Sequence, residues 1–223
     1  TYTDHADGRV LDYDHLCGSV HELISSGKSG SVSAVTSAVP AKYTSDMARE
    51  DTTLISEFTT SFSGSTYGKA NRVFNIVKAA SMIDGKTLAS GEEFDTNAAL
   101  GDRNEENGWK TAAGIRDGTY VQEYGGGVCQ VSSTMYVAAV RANLEITKRT
   151  QHGLVVGYTD LGLDATVNYD GKKIDFSFRN ECGGTVYIAA HVIKSPTNKR
   201  NLLCEVRMYG QSLGGRTYKL EAQ

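Results

Sequence analysis

Apolar residues recur at helical spacing in three stretches of the chain and alternate with polar ones through much of the remainder. Leu16, Val20, Leu23 and Ile24 predict a helix within 11–24, with Asp12 or Asp14 near its start and Ser25-Ser26-Gly27 closing it. Val73, Ile76, Val77, Ala80 and Ile83 share one face over 70–83, which predicts a buried-face helix ended by Asp84-Gly85. Met135, Ala138/Ala139 and Leu144 set a third helix from Cys129 through 131–143.

Strands are predicted at 31–39, where Val and Ala alternate with Ser and Thr, at 52–62, broken by the Ser/Gly/Tyr stretch 63–68, and at 119–124. Five more follow at 145–149, 165–169, 174–179, 185–193 and 202–209, joined by turns such as Tyr169-Asp170-Gly171. Residues 100–118 are dominated by polar residues and glycines, with Trp109 their largest apolar residue, and predict a long surface loop bordering a site. The pattern gives an α+β fold: mostly antiparallel sheet with a central helix starting at Cys129, plus a small N-terminal α/β remnant. The break between remnant and main unit falls in 41–50, with the second unit beginning near Asp51.

Composition narrows the function classes. With 23 Lys+Arg against 26 Asp+Glu the formal net charge is −3, which argues against nucleic acid and anionic membrane surfaces as partners. The longest apolar runs, such as 136–140, are far too short to cross a bilayer. The start Thr1-Tyr2-Thr3-Asp4-His5 resembles no signal peptide and reads as the edge of an excised fragment. Cys17, Cys129, Cys182 and Cys204 form no metal-ligand spacing, so no metal is expected. A bridge between Cys182 and Cys204 is disfavoured, because a turn at Pro196-Thr197-Asn198 sets Cys204 opposite about His191.

The candidate chemistry centres on Gly125-Gly126-Gly127-Val128-Cys129-Gln130, a glycine turn between a strand and a helix. Glycines admit φ > 0 and close backbone approach. A cysteine at a helix N-terminus has its thiolate stabilised by the dipole and free N–H groups, which can also receive an oxyanion. His152, in a polar strand-end segment, is the candidate base and acid, and the orienting carboxylate is one of Asp160, Asp164 and Asp175, with Asp164 preferred for its loop-to-strand position. Arg149 could hold a substrate carboxylate. The turn lacks the Lys-Ser/Thr of a phosphate-binding loop, and the residue six after Cys129 is Met135, not the Arg of a phosphatase.

These residues resemble the VanW domain of Gram-positive bacteria. The resemblance runs from about Asn71 to Gly210: Asn75 and Ala79/Ala80, Gly85, Gly91-Glu92-Glu93-Phe94, Leu100-Gly101, Glu106-Asn107-Gly108, the Gly125 to Tyr136 stretch, Arg149, His152, Tyr158, Gly162-Leu163-Asp164-Ala165-Thr166-Val167, Asp175-Phe176 and Phe178-Arg179-Asn180. Ser90 stands where the family usually has proline and Asp95 where it often has serine. Residues 1–48 look like the end of the peptidoglycan-binding domain that precedes VanW domains and also YkuD-type L,D-transpeptidase domains. That leaves 49–223 as the VanW catalytic domain, with its core at 71–210.

The resemblance implies a cysteine L,D-transpeptidase that forms 3-3 cross-links in peptidoglycan, without cofactor. It maps the family's cysteine to Cys129 and its histidine to His152. Gly126, Gly127, Gln130, Ser132, Ser133, Arg149, Trp109 and Tyr158 are the residues expected to line the site or cover an acyl-enzyme. The expected partners are peptidoglycan stem peptides, at an extracellular, wall-facing location, with membrane anchorage supplied elsewhere in a longer protein. A non-catalytic stem-peptide-binding module, an L,D-carboxypeptidase and a cysteine endopeptidase are the alternatives.

Overall fold

The computed structural model describes residues 3–64, 69–116, 118–169 and 173–220. The break expected at 63–68 and the turn at Tyr169-Asp170-Gly171 lie mostly outside those residues. The chain divides into two compact units, Thr1–Arg49 and Glu50–Gln223.

In the first unit β1 (Gly8–Leu11) pairs antiparallel with β2 (Thr36–Val39), and α1 (Tyr13–Ser25) connects them. Of the two aspartates expected near its start, Asp12 caps α1 by accepting from the His15 backbone N–H at 2.9 Å. The short helix α2 (Ser45–Asp51) follows. None of the described residues in this unit is buried, and the expected strand at 31–39 is confined to its last four residues.

The second unit runs β3 (Thr53–Ser63), α3 (Ala70–Ile83), β4 (Thr87–Leu88), β5 (Glu93–Asp95), α4 (Thr96–Leu100), β6 (Thr111–Arg116), β7 (Thr119–Tyr124), α5 (Cys129–Arg141), β8 (Glu145–Lys148), β9 (Ser177–Arg179), β10 (Val186–Lys194) and β11 (Asn201–Gly210). An antiparallel sheet in the order β3-β11-β10-β4 forms one wall, a sheet β5-β9-β8 a second, and β6-β7 a separate hairpin. The fold is thus α+β with mostly antiparallel sheet. Helix α5 is central: every residue from Gln130 to Ala139 is buried, packed with Phe62, Ile188, Cys204, Val206 and Met208 of the large sheet, Phe178 of the small one and Phe176 just before it. Each large apolar side chain buried there contributes about 1.5–3 kcal/mol.

Helix α3 buries Ile76, Ala79, Ala80 and Ile83 as its periodicity predicts, but Val77 is 44% exposed, at the edge of the apolar stripe. Its buried Asn75 donates to the carbonyls of Lys110 (2.8 Å) and Gly126 (3.1 Å) and accepts from the Lys110 N–H (3.0 Å). One side chain therefore ties α3 to the root of the β6-β7 hairpin and to the glycine turn.

Two expectations fail. The loop predicted over 100–118 contains β6, paired with β7 from Thr111↔Tyr124 to Arg116↔Thr119. The strand predicted at 165–169 does not form; the segment makes one isolated bridge, Asn168↔Ile174. All four cysteines are free thiols, and Cys204 faces Val192, one residue from the expected position.

Candidate active site

The glycine turn shapes the site by accommodating neighbours rather than by lying open. Gly125 (φ +79°) and Gly127 (φ +104°) adopt conformations that side chains resist. A Cβ on Gly126 would stand 2.4 Å from the Ala112 carbonyl oxygen, and one on Gly127 would stand 2.8 Å from Arg72 Cγ. Gly126, expected to contact substrate, instead packs on the hairpin backbone. Gly127 does line the pocket.

Beyond the turn, α5 starts at Cys129 with no capping side chain. The N–H groups of Val128, Gln130 and Val131 close turns onto Gly125, Gly127 and Val128, whereas that of Cys129 has no backbone acceptor among the described residues. The Cys129 thiol is partly exposed and donates to the Val167 carbonyl at 3.4 Å.

The polar first turn of α5 fixes the segment that carries Asp164. Ser132 Oγ donates to the Ala165 carbonyl (2.7 Å), and Ser133 Oγ accepts from the Ala165 N–H (2.9 Å) while donating to the Cys129 carbonyl (2.7 Å). Arg149 donates to the carbonyls of Asp164 (2.8 Å) and Gly162 (2.9 Å), stacks over Tyr136 and reaches Asp164 Oδ1 at 3.5 Å. So held, Asp164 Oδ2 accepts from the backbone N–H of His152 (2.7 Å) and meets its Nδ1 at 2.5 Å.

With Nδ1–H donating to Asp164, Nε2 is the free basic nitrogen. Burial alone would push the imidazole down, but hydrogen bonding to the Cys129 side chain and the carboxylate of Asp164 raise it above the ordinary histidine value. Thiol, imidazole and carboxylate therefore interact in series. Cys129 and His152 open on a pocket of about 240 Å³ whose wall includes Arg72, Gly127, Tyr158, Tyr169 and, on the hairpin, Ile115, Tyr120 and Glu123, with Asp164 buried behind the imidazole.

Several residues expected to touch substrate are committed elsewhere. Arg149 is a clamp on the Asp164 segment, and Ser132 is fully buried. Trp109, at 1% exposure, lies in the core with Lys78 over its ring, because the segment around it is held by Asn75. Gln130 borders the pocket, but its amide accepts from Arg72 (2.8 Å) and donates to Thr60 Oγ1 (3.0 Å) and the Ser61 carbonyl (3.3 Å). Tyr158 remains at the pocket, its hydroxyl 3.4 Å from Ser133 and its phenol pushed up by burial and by the charge of Cys129. Of the three candidate aspartates only Asp164 reaches His152: Asp175 accepts from the N–H groups of Asn97 and Phe176, and Asp160 forms a turn with Leu163.

An antiparallel α+β domain whose central helix opens on a cysteine, next to a histidine and an aspartate, defines the class. The chain belongs to the VanW family: residues 71–201 match its description, VanW like protein. It is similar to YoaR of Bacillus subtilis (strain 168), described as uncharacterized, with 35% identity over 144 residues, 65% of this chain and 46% of that protein. It is also similar to the vancomycin B-type resistance protein VanW of Enterococcus faecalis (strain ATCC 700802 / V583), at 27% over 124 residues, 53% of this chain and 44% of that one. The aligned regions thus span less than half of either relative. No solved structure matches the chain. No helix among the described residues is long and apolar enough to cross a membrane, and no cluster of His, Cys, Asp and Glu among them could hold a metal.

Proposed function

We propose that this domain is a cysteine acyltransferase of the cell wall, an L,D-transpeptidase that forms 3-3 cross-links between peptidoglycan stems. The observation that carries the reading is the Cys129–His152–Asp164 series opening on a pocket, with the imidazole raised by both neighbours. Kinship to a protein named for vancomycin resistance supports a wall substrate and an extracellular location.

In this mechanism His152 Nε2 takes the Cys129 proton, and the sulfur attacks the carbonyl between the third residue of a stem, a diamino acid, and its terminal D-Ala. The oxyanion is received by the uncommitted N–H of Cys129. The imidazolium, held by Asp164, gives its proton to the departing amine as the C–N bond breaks, leaving a thioester. The side-chain amine of a second stem then attacks the thioester, His152 takes its proton, and the thiol is released. Water in that step would give a carboxypeptidase.

The test is incubation of the protein with purified muropeptide monomers beside Cys129→Ala, read by mass spectrometry. Dimers lacking one D-Ala, formed only with Cys129 present, are expected. Shortened monomers without dimers would assign the carboxypeptidase, fragments cut within the stem an endopeptidase, and unchanged monomers bound by both proteins a binding module.

A further inference from the structure

The site contains a cation, Arg72, that has no carboxylate partner among the described residues. Arg72 stands in the first turn of α3, where the helix dipole disfavours positive charge and no acidic residue offsets it. The side chain is half-buried, and burial lowers its proton affinity, countered by Tyr158, Cys129 and Cys204. Among the described residues its hydrogen-bond acceptor is Gln130 Oε1, and no carboxylate lies within ion-pair distance. The other face of the side chain lies against the Phe62 ring, with the guanidinium carbon 5.8 Å from its centroid.

The surroundings hold this arginine in place. Gln130 Nε2 donates to Thr60 Oγ1, Thr60 pairs with Thr134 at 2.8 Å, and Thr134 donates to the Gln130 carbonyl, so the amide that receives Arg72 cannot turn away. Gly127 has no side chain where Arg72 passes: a Cβ there would stand 2.8 Å from Cγ and 3.5 Å from Nε. The guanidinium is thereby laid beside the turn that carries Cys129, in the wall of the same pocket.

A half-buried arginine held in place with no carboxylate partner among the described residues is costly to keep unless an anion completes it. We infer that Arg72 forms a carboxylate subsite beside Cys129, so that the group attacked lies next to a free terminal carboxylate and the released piece is a carboxy-terminal amino acid. This rests on the acyl-transfer reading above and assigns to Arg72 the recognition of that substrate's terminal carboxylate. The role expected of Arg149 falls to Arg72, because Arg149 is occupied by Gly162 and Asp164.

The test compares alkylation of Cys129 by iodoacetate, which carries a carboxylate, and by the neutral iodoacetamide, mapped by peptide mass spectrometry in wild type, Arg72→Gln and Arg72→Lys. The ratio of the two rates at Cys129 is expected to fall about tenfold in Arg72→Gln and to recover in part in Arg72→Lys. A general disturbance of the site would slow both reagents together and leave the ratio unchanged, and that result overturns the subsite. The second arm offers a stem peptide ending in free D-Ala and the same peptide as its terminal amide. Wild type should prefer the acid through KM, and Arg72→Gln should lose the preference. If no peptide is turned over while the alkylation ratio shifts, the acyl-transfer reading fails and the subsite stands; turnover with an unshifted ratio is the reverse.

Discussion

Asp164 receives both the backbone and the ring N–H of His152, so one carboxylate sets the position and the tautomer of the imidazole together. Replacing it by Asn should therefore cost more than charge, because the amide can present an N–H to Nδ1 and reverse the tautomer. Asp164→Asn is expected to lower kcat at least about a hundredfold, measured as release of the terminal amino acid. The histidine itself offers a test independent of substrate. Its folded value lies above the ordinary 6.5 because Cys129 and Asp164 outweigh burial, so its NMR titration should move down in Cys129→Ala and in Asp164→Asn. For stability the sign follows: a raised folded value contributes fully below about 6.5 and is lost as pH climbs through the folded value. Cys129 and His152 were legible because a glycine turn into a helix and a polar strand end are local signals. Arg72 was not, because a polar position at the start of an amphipathic helix reads as solvent-facing. The available signal was its sign, a cation at the helix end that prefers acids.

The elements around the site are joined by small residues and hydroxyls rather than by large apolar ones. Gly126→Ala should destabilise the protein by about 1–3 kcal/mol, read as a lowered urea midpoint, since the added methyl meets the backbone oxygen of Ala112. Ser133→Ala leaves the buried Ala165 N–H without its acceptor. It should cost about 1–3 kcal/mol and reduce kcat more than it raises KM, because Asp164 is the next residue along. The same chemistry explains what the periodicity missed. β6 (Thr-Ala-Ala-Gly-Ile-Arg) has no alternation of large apolar residues, because its order comes from pairing with β7 and from Asn75 at its root. Residues 165–169 have a strand's composition, yet their polar groups are taken up by α5 serines, Thr150 and Cys129, so they form no ladder. Helices α3 and α5 were readable almost to the residue, α3 because it buries one apolar face and α5 because its apolar residues keep helical spacing although the helix is buried all round.

At the scale of the whole molecule, the buried core belongs to the second unit, and the small sheet in it carries a second titrating pair. Asp175 is pushed up to about 7 by burial and by a hydrogen bond to Asp95, which stays below the usual carboxylate range through its bonds to Asp175 and to the Ala98 N–H and through Lys148, despite burial. A carboxyl whose folded value is raised from 3.8 stabilises fully below that pH and loses its contribution as pH rises through about 7. Asp175→Asn, which imitates the protonated acid, should leave Tm nearly unchanged at pH 4 and raise it at pH 8; a pH-independent difference would contradict the shared proton. Neither this pair nor the Arg72 pocket could be read from spacing, since each joins residues dozens of positions apart.

The central claim is that Cys129 carries an acyl group from a wall peptide, and the most direct test is the intact mass of the protein after rapid mixing with tetrapeptide stems and acid quench. A mass increase equal to the stem without its terminal D-Ala, mapped to Cys129, labile to hydroxylamine and missing in Cys129→Ala, is the result predicted. Release of D-Ala with no adduct on any cysteine, or an adduct that survives Cys129→Ala, would contradict it.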